Sequence, residues 1–284
     1  MFLSFSTWGM QRTPIEVAVD HCASLGYDGL ELTVIPGWPT DAAGLDGPAR
    51  RRIRRLYDDA GLQLCGLSGN TPLLRSPDGE DLESRLARFR RYLDLASELQ
   101  LPGQRLTVST TSGGSAGEWE EVREELVDRY GSLAAHAEAA GVIASAEPHV
   151  GSALHTPDGA KWLVEQVRSP ALRVHFDISH FNVQGMDMEN AVAELAPLSV
   201  HTHVKDERGV VPDYEFLIPG EGDMDYVRYL RAMDEAGYRG HITVEISLMV
   251  QRRGDYDALA AASQSYSVLQ NAFTQAGVAR GGLD

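Results

Sequence analysis

The chain has 284 residues, a hydrophobic fraction of 43% and a formal net charge of −16. That charge opposes nucleic-acid or anionic-lipid partners, since both depend on a basic footprint. No apolar run approaches the ~20 residues that cross a bilayer, and MFLSFSTW lacks the basic start and cleavage site of a secretory leader, so no membrane partner and a cytoplasmic location are expected.

Short apolar strand patterns alternate with amphipathic segments along the whole chain. Leu3–Trp8 leads into a helix near Pro14–Leu25, Gly29–Val34 into Pro48–Ala60, and Leu62–Leu67 into Leu82–Leu99. Arg105–Ser109 leads into Trp119–Ala140, Val142–Glu147 into Asp158–Gln166, and Leu172–Asp177 into Met188–Leu195. Leu198–Val204 leads into Asp225–Glu235, and His241–Ile246 into Tyr256–Ala276. The joints SLGYDGLEL, AGLQLCGL, AAGVIASAE and AGYRGHITVE each put a glycine just past a helix, where a left-handed C-cap favours it. Alternation of this kind implies a parallel sheet with crossover helices. Eight units fit one α/β (β/α)₈ TIM barrel of roughly 250 residues, so a single domain over residues 1–284 is expected. An open doubly wound sheet is disfavoured because no G-x-G-x-x-G follows the first strand.

Some features read as structural. Cys22 and Cys65 sit in apolar patterns as small buried side chains. The arginine run from Arg50 to Arg55 reads as a solvated helix face, with Ile53 and Leu56 turned inward. TTSGGSAGE, after the fourth strand, is either a lid or anion nest or, more simply, a flexible connector. The segment from Asp206 to Asp225 is longer than most βα loops and is expected to shape a site. The final helix, bearing Tyr and Phe, offers a surface for a homo-oligomer.

Four residues stand at the ends of the last four strand patterns: Glu147 in ASAEPH, Asp177 in RVHFDISH, His203 in HTHVKD and Glu245 in ITVEIS. In a (β/α)₈ barrel such ends converge on the C-terminal rim, where these barrels do their chemistry. Three carboxylates at one rim repel unless a cation or strong donors compensate. A metal site answers this need, and so does a salt-bridge cluster with Lys205. Three oxygen ligands and one nitrogen suit Mn²⁺ first, then Mg²⁺ or Co²⁺, with Zn²⁺ also admissible. His149, His180, Lys205, Glu221 in GEG, and Trp8 at the end of the first strand are the candidate substrate contacts. His175 and His201 alternate with Asp177 and His203, so they should point into the barrel and donate one ring N–H each.

The set E-P-H, D-I-S-H, H-x-H-V-K-D, P-G-E-G-D and V-E-I-S, with GYDGLEL upstream, resembles the xylose-isomerase-like barrel superfamily. That superfamily holds sugar and sugar-phosphate isomerases, ketose 3-epimerases, inosose dehydratases and endonuclease IV. The resemblance implies that Glu147, Asp177, His203 and Glu245 bind one divalent ion and that Glu147 and Glu245 flank the substrate carbon that loses its proton. It also implies that His180 contacts substrate or a second metal. Endonuclease IV takes further histidines from earlier strands; this chain has none between His21 and His136, which argues against a DNA-repair role. The implied activity is metal-dependent isomerisation or epimerisation of a ketose or keto-sugar by proton transfer beside a carbonyl. Two alternatives stay open. One is a lyase, dehydratase or deglycosidase on the same ligand set, with His149 or Lys205 as acid. The other is a barrel-scaffold binding subunit with little turnover.

Overall fold

The structure is a computed structural model that describes residues 1–75 and 79–281. The strands in chain order are β1 (Phe2–Ser6), β2 (Gly29–Thr33), β3 (Gln63–Ser68), β4 (Thr107–Thr111) and β5 (Ile143–Glu147). They continue with β6 (Leu172–Asp177), β7 (Ser199–Val204), β8 (Asp206–Val210), β9 (Asp213–Leu217) and β10 (His241–Val244). Eight of them close a parallel barrel in the order β1-β10-β7-β6-β5-β4-β3-β2, and β8 and β9 form a separate two-stranded sheet. This is the expected TIM barrel, of the α/β class.

The crossover helices are α1 (Ile15–Leu25), α2 (Gly47–Ala60), α3 (Leu82–Leu99), α4 (Trp119–Ala140) and α5 (Pro157–Val167), then α7 (Met188–Leu195), α8 (Tyr226–Glu235) and α10 (Ala258–Ala276). Two single-turn helices, α6 (Ser179–Asn182) and α9 (Leu248–Gln251), were not legible in the sequence and begin within a few residues of Asp177 and Glu245. Helix starts are fixed locally: Asp46, Asp81, Thr156, Asp187 and Asp225 each accept a backbone N–H of the first turn. Caps of this kind contribute about 1 kcal/mol each. The four joint glycines, Gly26, Gly61, Gly141 and Gly237, all have positive φ. The inner face of α3 buries Leu86, Phe89, Leu93 and Ala96 at helical spacing. A fully buried Leu or Phe contributes roughly 1.5–3 kcal/mol, so faces like this hold the ring of helices to the barrel. Cys22 and Cys65 are buried free thiols, and Ile53 of α2 is buried while the arginines around it face outward or lie half-buried. Among the described residues no helix is long and apolar enough to cross a membrane.

The barrel interior is polar where most barrels are aliphatic. Ser4, Glu31, Thr107, Ser145, His175, His201 and Thr243 are all buried. Thr107 Oγ1 donates to Ser145 Oγ at 2.8 Å. A Cβ on Gly66 would meet Thr107 Cγ2 at 3.2 Å and His201 Cε1 at 3.5 Å, so the absent side chain gives the imidazole its room.

The segment after Lys205 is ordered differently from the long loop expected. Residues 206–217 fold as the β8–β9 hairpin, paired from Asp206↔Leu217 to Val210↔Asp213. Period-2 alternation puts Phe216 and Tyr214 on one hairpin face, and both line a cavity above the barrel. The TTSGGSAGE segment is tied to its neighbours by hydrogen bonds. Ser112 Oγ accepts from Leu154 N at 3.0 Å, Gly113 O accepts from Ala153 N at 2.9 Å, and Ser115 and Glu118 close a capping box.

Candidate metal and catalytic site

Parallel register brings the four strand-end residues together. Asp177 of β6 and His203 of β7 are Cα partners, as are His203 and Thr243 of β10. Glu147 closes β5, and Glu245 follows β10 by one residue with its N–H on Val204 O at 3.1 Å. In the barrel order β7 and β6 lie between β10 and β5, so Glu245 and Glu147 bracket Asp177 and His203. Ligand atoms of Asp177, His203 and Glu245 lie within 4.8 Å of one another, as do those of Glu147, Asp177 and His180 and those of Glu147, His175 and His203. The four expected ligands therefore form one continuous cluster at the C-terminal ends of the strands.

Lys205 fills the centre of positive charge in this cluster. Its Nζ is bonded to Asp177 and lies 2.6 Å from Glu245 Oε2. Burial alone would lower the lysine pKa; Asp177, Glu245 and Glu147 overcome it and push it up. Burial would raise Asp177, but Lys205, His180 and His203 hold it well below the usual carboxylate range. Desolvation raises the Glu147 pKa and outweighs the opposing pull of His203 and Lys205. The chemistry of this donor set fits a divalent cation: three carboxylates converge, and His203 Nδ1 has no hydrogen-bond partner among the described residues while lying 3.5 Å from Glu245 Oε1.

Glu31, which the sequence reading missed, completes the inner layer. It is fully buried on β2, accepts from Ser6 Oγ, and lies 3.1 Å from His201 Nε2 and 2.9 Å from His203 Nε2. Desolvation would raise its pKa; the two imidazoles reverse that and hold it well below 4.5. His203 is also desolvated, yet Glu31 and Glu245 raise it to about 9. The signal was present in GLEL, an acid inside an otherwise apolar strand.

The other candidates divide. His180 Nε2 lies 3.4 Å from Asp177 Oδ2 and 3.7 Å from Glu147 Oε1, and its ring packs on His149 with centroids 3.8 Å apart. Burial pushes both imidazoles down to about 4. His149 Nδ1 lies 2.7 Å from Val150 O, which can only accept, so Nδ1 carries the proton and Nε2 is left as an acceptor. Trp8 stacks on Trp38 with centroids 4.8 Å apart. Trp8, His149, His180, Lys205, Glu147 and Glu245 all line one cavity of about 460 Å³. Glu221, expected among the substrate contacts, does not line it; its carboxylate is held 2.8 Å from Arg253 Nη1. His175 differs from expectation too. Neither of its ring nitrogens has a hydrogen-bond partner among the described residues, and it packs edge-on against His203 at 4.1 Å and His201 at 5.1 Å. Asp206 does not orient Lys205. Its carboxylate accepts from Gly220 N at 2.7 Å and from Glu207 N and Met224 N at 3.0 Å, which ties the PGEGD loop to the hairpin.

Comparison with known proteins places the fold in a family. The chain is 26% identical over 251 residues to fructoselysine 3-epimerase of Escherichia coli O157:H7, spanning 86% of this chain and 89% of that protein. It is 23% identical over 250 residues to D-psicose 3-epimerase of Enterocloster bolteae, spanning 81% and 76%. Among solved structures, the IOLI protein with a bound zinc atom superposes with a TM-score of 0.78 at 18% identity, covering 97% of this chain and 99% of that one. The profile of the xylose isomerase-like TIM barrel family matches residues 19–270, and the chain belongs to that family.

Proposed function

We propose that the protein is a divalent-metal-dependent keto-sugar isomerase or epimerase, one domain whose active site is the cluster at the C-terminal rim. The observation that carries this reading is that Glu147, Asp177, His203 and Glu245 fall in overlapping ligand groups, with Glu147 and Glu245 facing a cavity also lined by Trp8, His149, His180 and Lys205. Kinship with two sugar 3-epimerases supports the substrate class. Glu147, Asp177, His203 and Glu245 would hold the ion, and the oxygen-rich set suits Mn²⁺, Mg²⁺ or Co²⁺. The ion would supply Lewis acidity toward a substrate carbonyl and its neighbouring hydroxyl.

The protein's own groups then handle the proton. Glu147 and Glu245 approach from β5 and β10, on either side of Asp177 and His203. One removes the proton α to the carbonyl, giving an enediolate, and the other returns a proton to the opposite face or the adjacent carbon. Burial raises Glu147, which suits a group that must both take and hold a proton. His149, neutral and bare at Nε2, accepts a hydrogen bond from a substrate hydroxyl. Trp8, Tyr214 and Phe216 give the cavity an aromatic lining.

The test is deuterium entry from solvent into a panel of ketoses, with and without Mn²⁺. Exchange that needs the metal supports the reading; metal binding with no exchange on any keto-sugar would contradict it. A lyase reading rests on one observation: the Lys205 ammonium beside Glu245 can stabilise a departing oxyanion by its charge, whereas His149 has no proton on Nε2 to give. Release of a dehydrated product or an aglycone in the same assay would select it.

A further inference from the structure

The cavity over the carboxylates has a second depression on its border. At about 460 Å³ it falls in the range that encloses drug-sized ligands, and a single six-carbon sugar leaves part of it unfilled. It shares Leu248 and Arg252 with that depression, which measures about 740 Å³. Arg12, Arg252 and Arg253 line that depression, and no described aspartate or glutamate does. In a chain of net charge −16 this is a local reversal of sign.

The three guanidiniums are not equivalent. Arg253 is committed to Glu221 at 2.8 Å. Arg12 and Arg252 are exposed and have no ion-pair partner among the described residues. Arg252 is also held in register with the candidate metal ligands. It follows α9, which begins three residues after Glu245, and the Gln251 amide pins that helix to Trp8 O at 3.1 Å and Ile246 O at 2.8 Å. The result is a polarity across two adjoining depressions: carboxylates at the floor of the first, aromatic and aliphatic walls, and free guanidiniums lining the second.

We infer that the depression is an anion subsite, and that the substrate is a keto-sugar extended by a substituent ending in a phosphate or a carboxylate. This rests on the keto-sugar reading of the cavity. The floor repels such an anion and the second depression attracts it, so the molecule enters with its sugar toward Glu147 and Glu245. The substituent passes Leu248, and its anion meets Arg252 and Arg12. Guanidinium matches both anions because its N–H groups pair with two oxygens at once.

The experiment is calorimetric binding of D-fructose, D-fructose 6-phosphate and an N-linked fructosyl amino acid to the wild type and to the Arg12→Gln/Arg252→Gln double variant. At least one anionic ligand should bind ~10-fold or more tightly than fructose, the scale of one charge-assisted pair. That ratio should collapse in the double variant and shrink with added salt. The ligand that shows the ratio distinguishes phosphate from carboxylate. Equal affinities in the wild type, no binding by either anionic ligand, or a ratio that survives the double substitution would overturn the subsite. Deuterium exchange on the same ligands separates the two ideas. Exchange without an anionic preference removes the subsite and keeps the enolising chemistry; arginine-dependent anionic binding without exchange does the reverse.

Discussion

His203 Nε2 lies 2.9 Å from Glu31 Oε2, so a side chain of β7 is held across the barrel interior by a carboxylate from β2. The contact fixes which imidazole nitrogen is occupied: Nε2 faces Glu31, and Nδ1 is left toward Glu245. A carboxylate behind a histidine sets ring orientation and raises ligand basicity. Glu31→Gln should therefore weaken divalent-metal affinity by about 10–100-fold while the barrel stays folded. Competition against a chelating dye measures it, and an affinity equal to wild type would remove Glu31 from this role.

Removing the imidazole itself is the sharper test of the ligand set. His203→Ala protein, dialysed and analysed for elemental content, should have lost most of its metal. Full occupancy would remove His203 from the ligand set.

The two glutamates should separate by face. Glu147→Gln and Glu245→Gln keep size and one oxygen ligand but remove a base, so turnover should fall ~10²-fold or more. With substrate epimers supplied one at a time, each variant should keep proton exchange on a single face. Equal exchange with both epimers in both variants would exclude the glutamates as the bases.

Far below the site, His241 lies with Nδ1 2.6 Å from Ser4 Oγ and its ring on Phe2, and burial pushes its pKa down to about 3. An unfolded histidine binds a proton near pH ~6.5. Between these values the unfolded chain holds a proton that the folded one refuses, so stability falls as pH drops from ~6.5 toward ~3, by up to about 1.4 kcal/mol per pH unit. In His241→Gln the slope of stability against pH, read from urea melts, should be shallower by close to one proton across this window. Identical slopes would show that His241 is not the source.

Asp206 is a structural residue in this fold. It is buried and takes three backbone N–H groups. A Cβ on Gly222 would collide with its carboxylate and with Glu207 O. Asp206→Ala strands those donors and should cost about 1–3 kcal/mol in denaturant unfolding. Gly222→Ala should destabilise the same loop without touching any candidate ligand. An Asp206→Ala protein as stable as wild type would refute the assignment.

The sequence by itself determined the eight units, the four glycine joints and the strand-end positions of Glu147, Asp177, His203 and Glu245. These follow from local rules: periodicity, capping and positive φ act over a few residues and can be read without knowing the neighbours. Only the tertiary structure decided what depends on pairs far apart in the chain. Glu31 and His203 are 172 residues apart, and nothing in GLEL says which imidazole will stand opposite. Asp206 sits beside Lys205 in sequence, yet its carboxylate turns to the loop that ends at Met224, because three N–H donors outbid one neighbouring ammonium already taken by Asp177 and Glu245. Glu221 left the candidate site for the same kind of reason: Arg253, supplied by a distant segment, claims it. Closing the barrel is what brings these residues together, and closure is a property of the whole sheet that no single segment encodes.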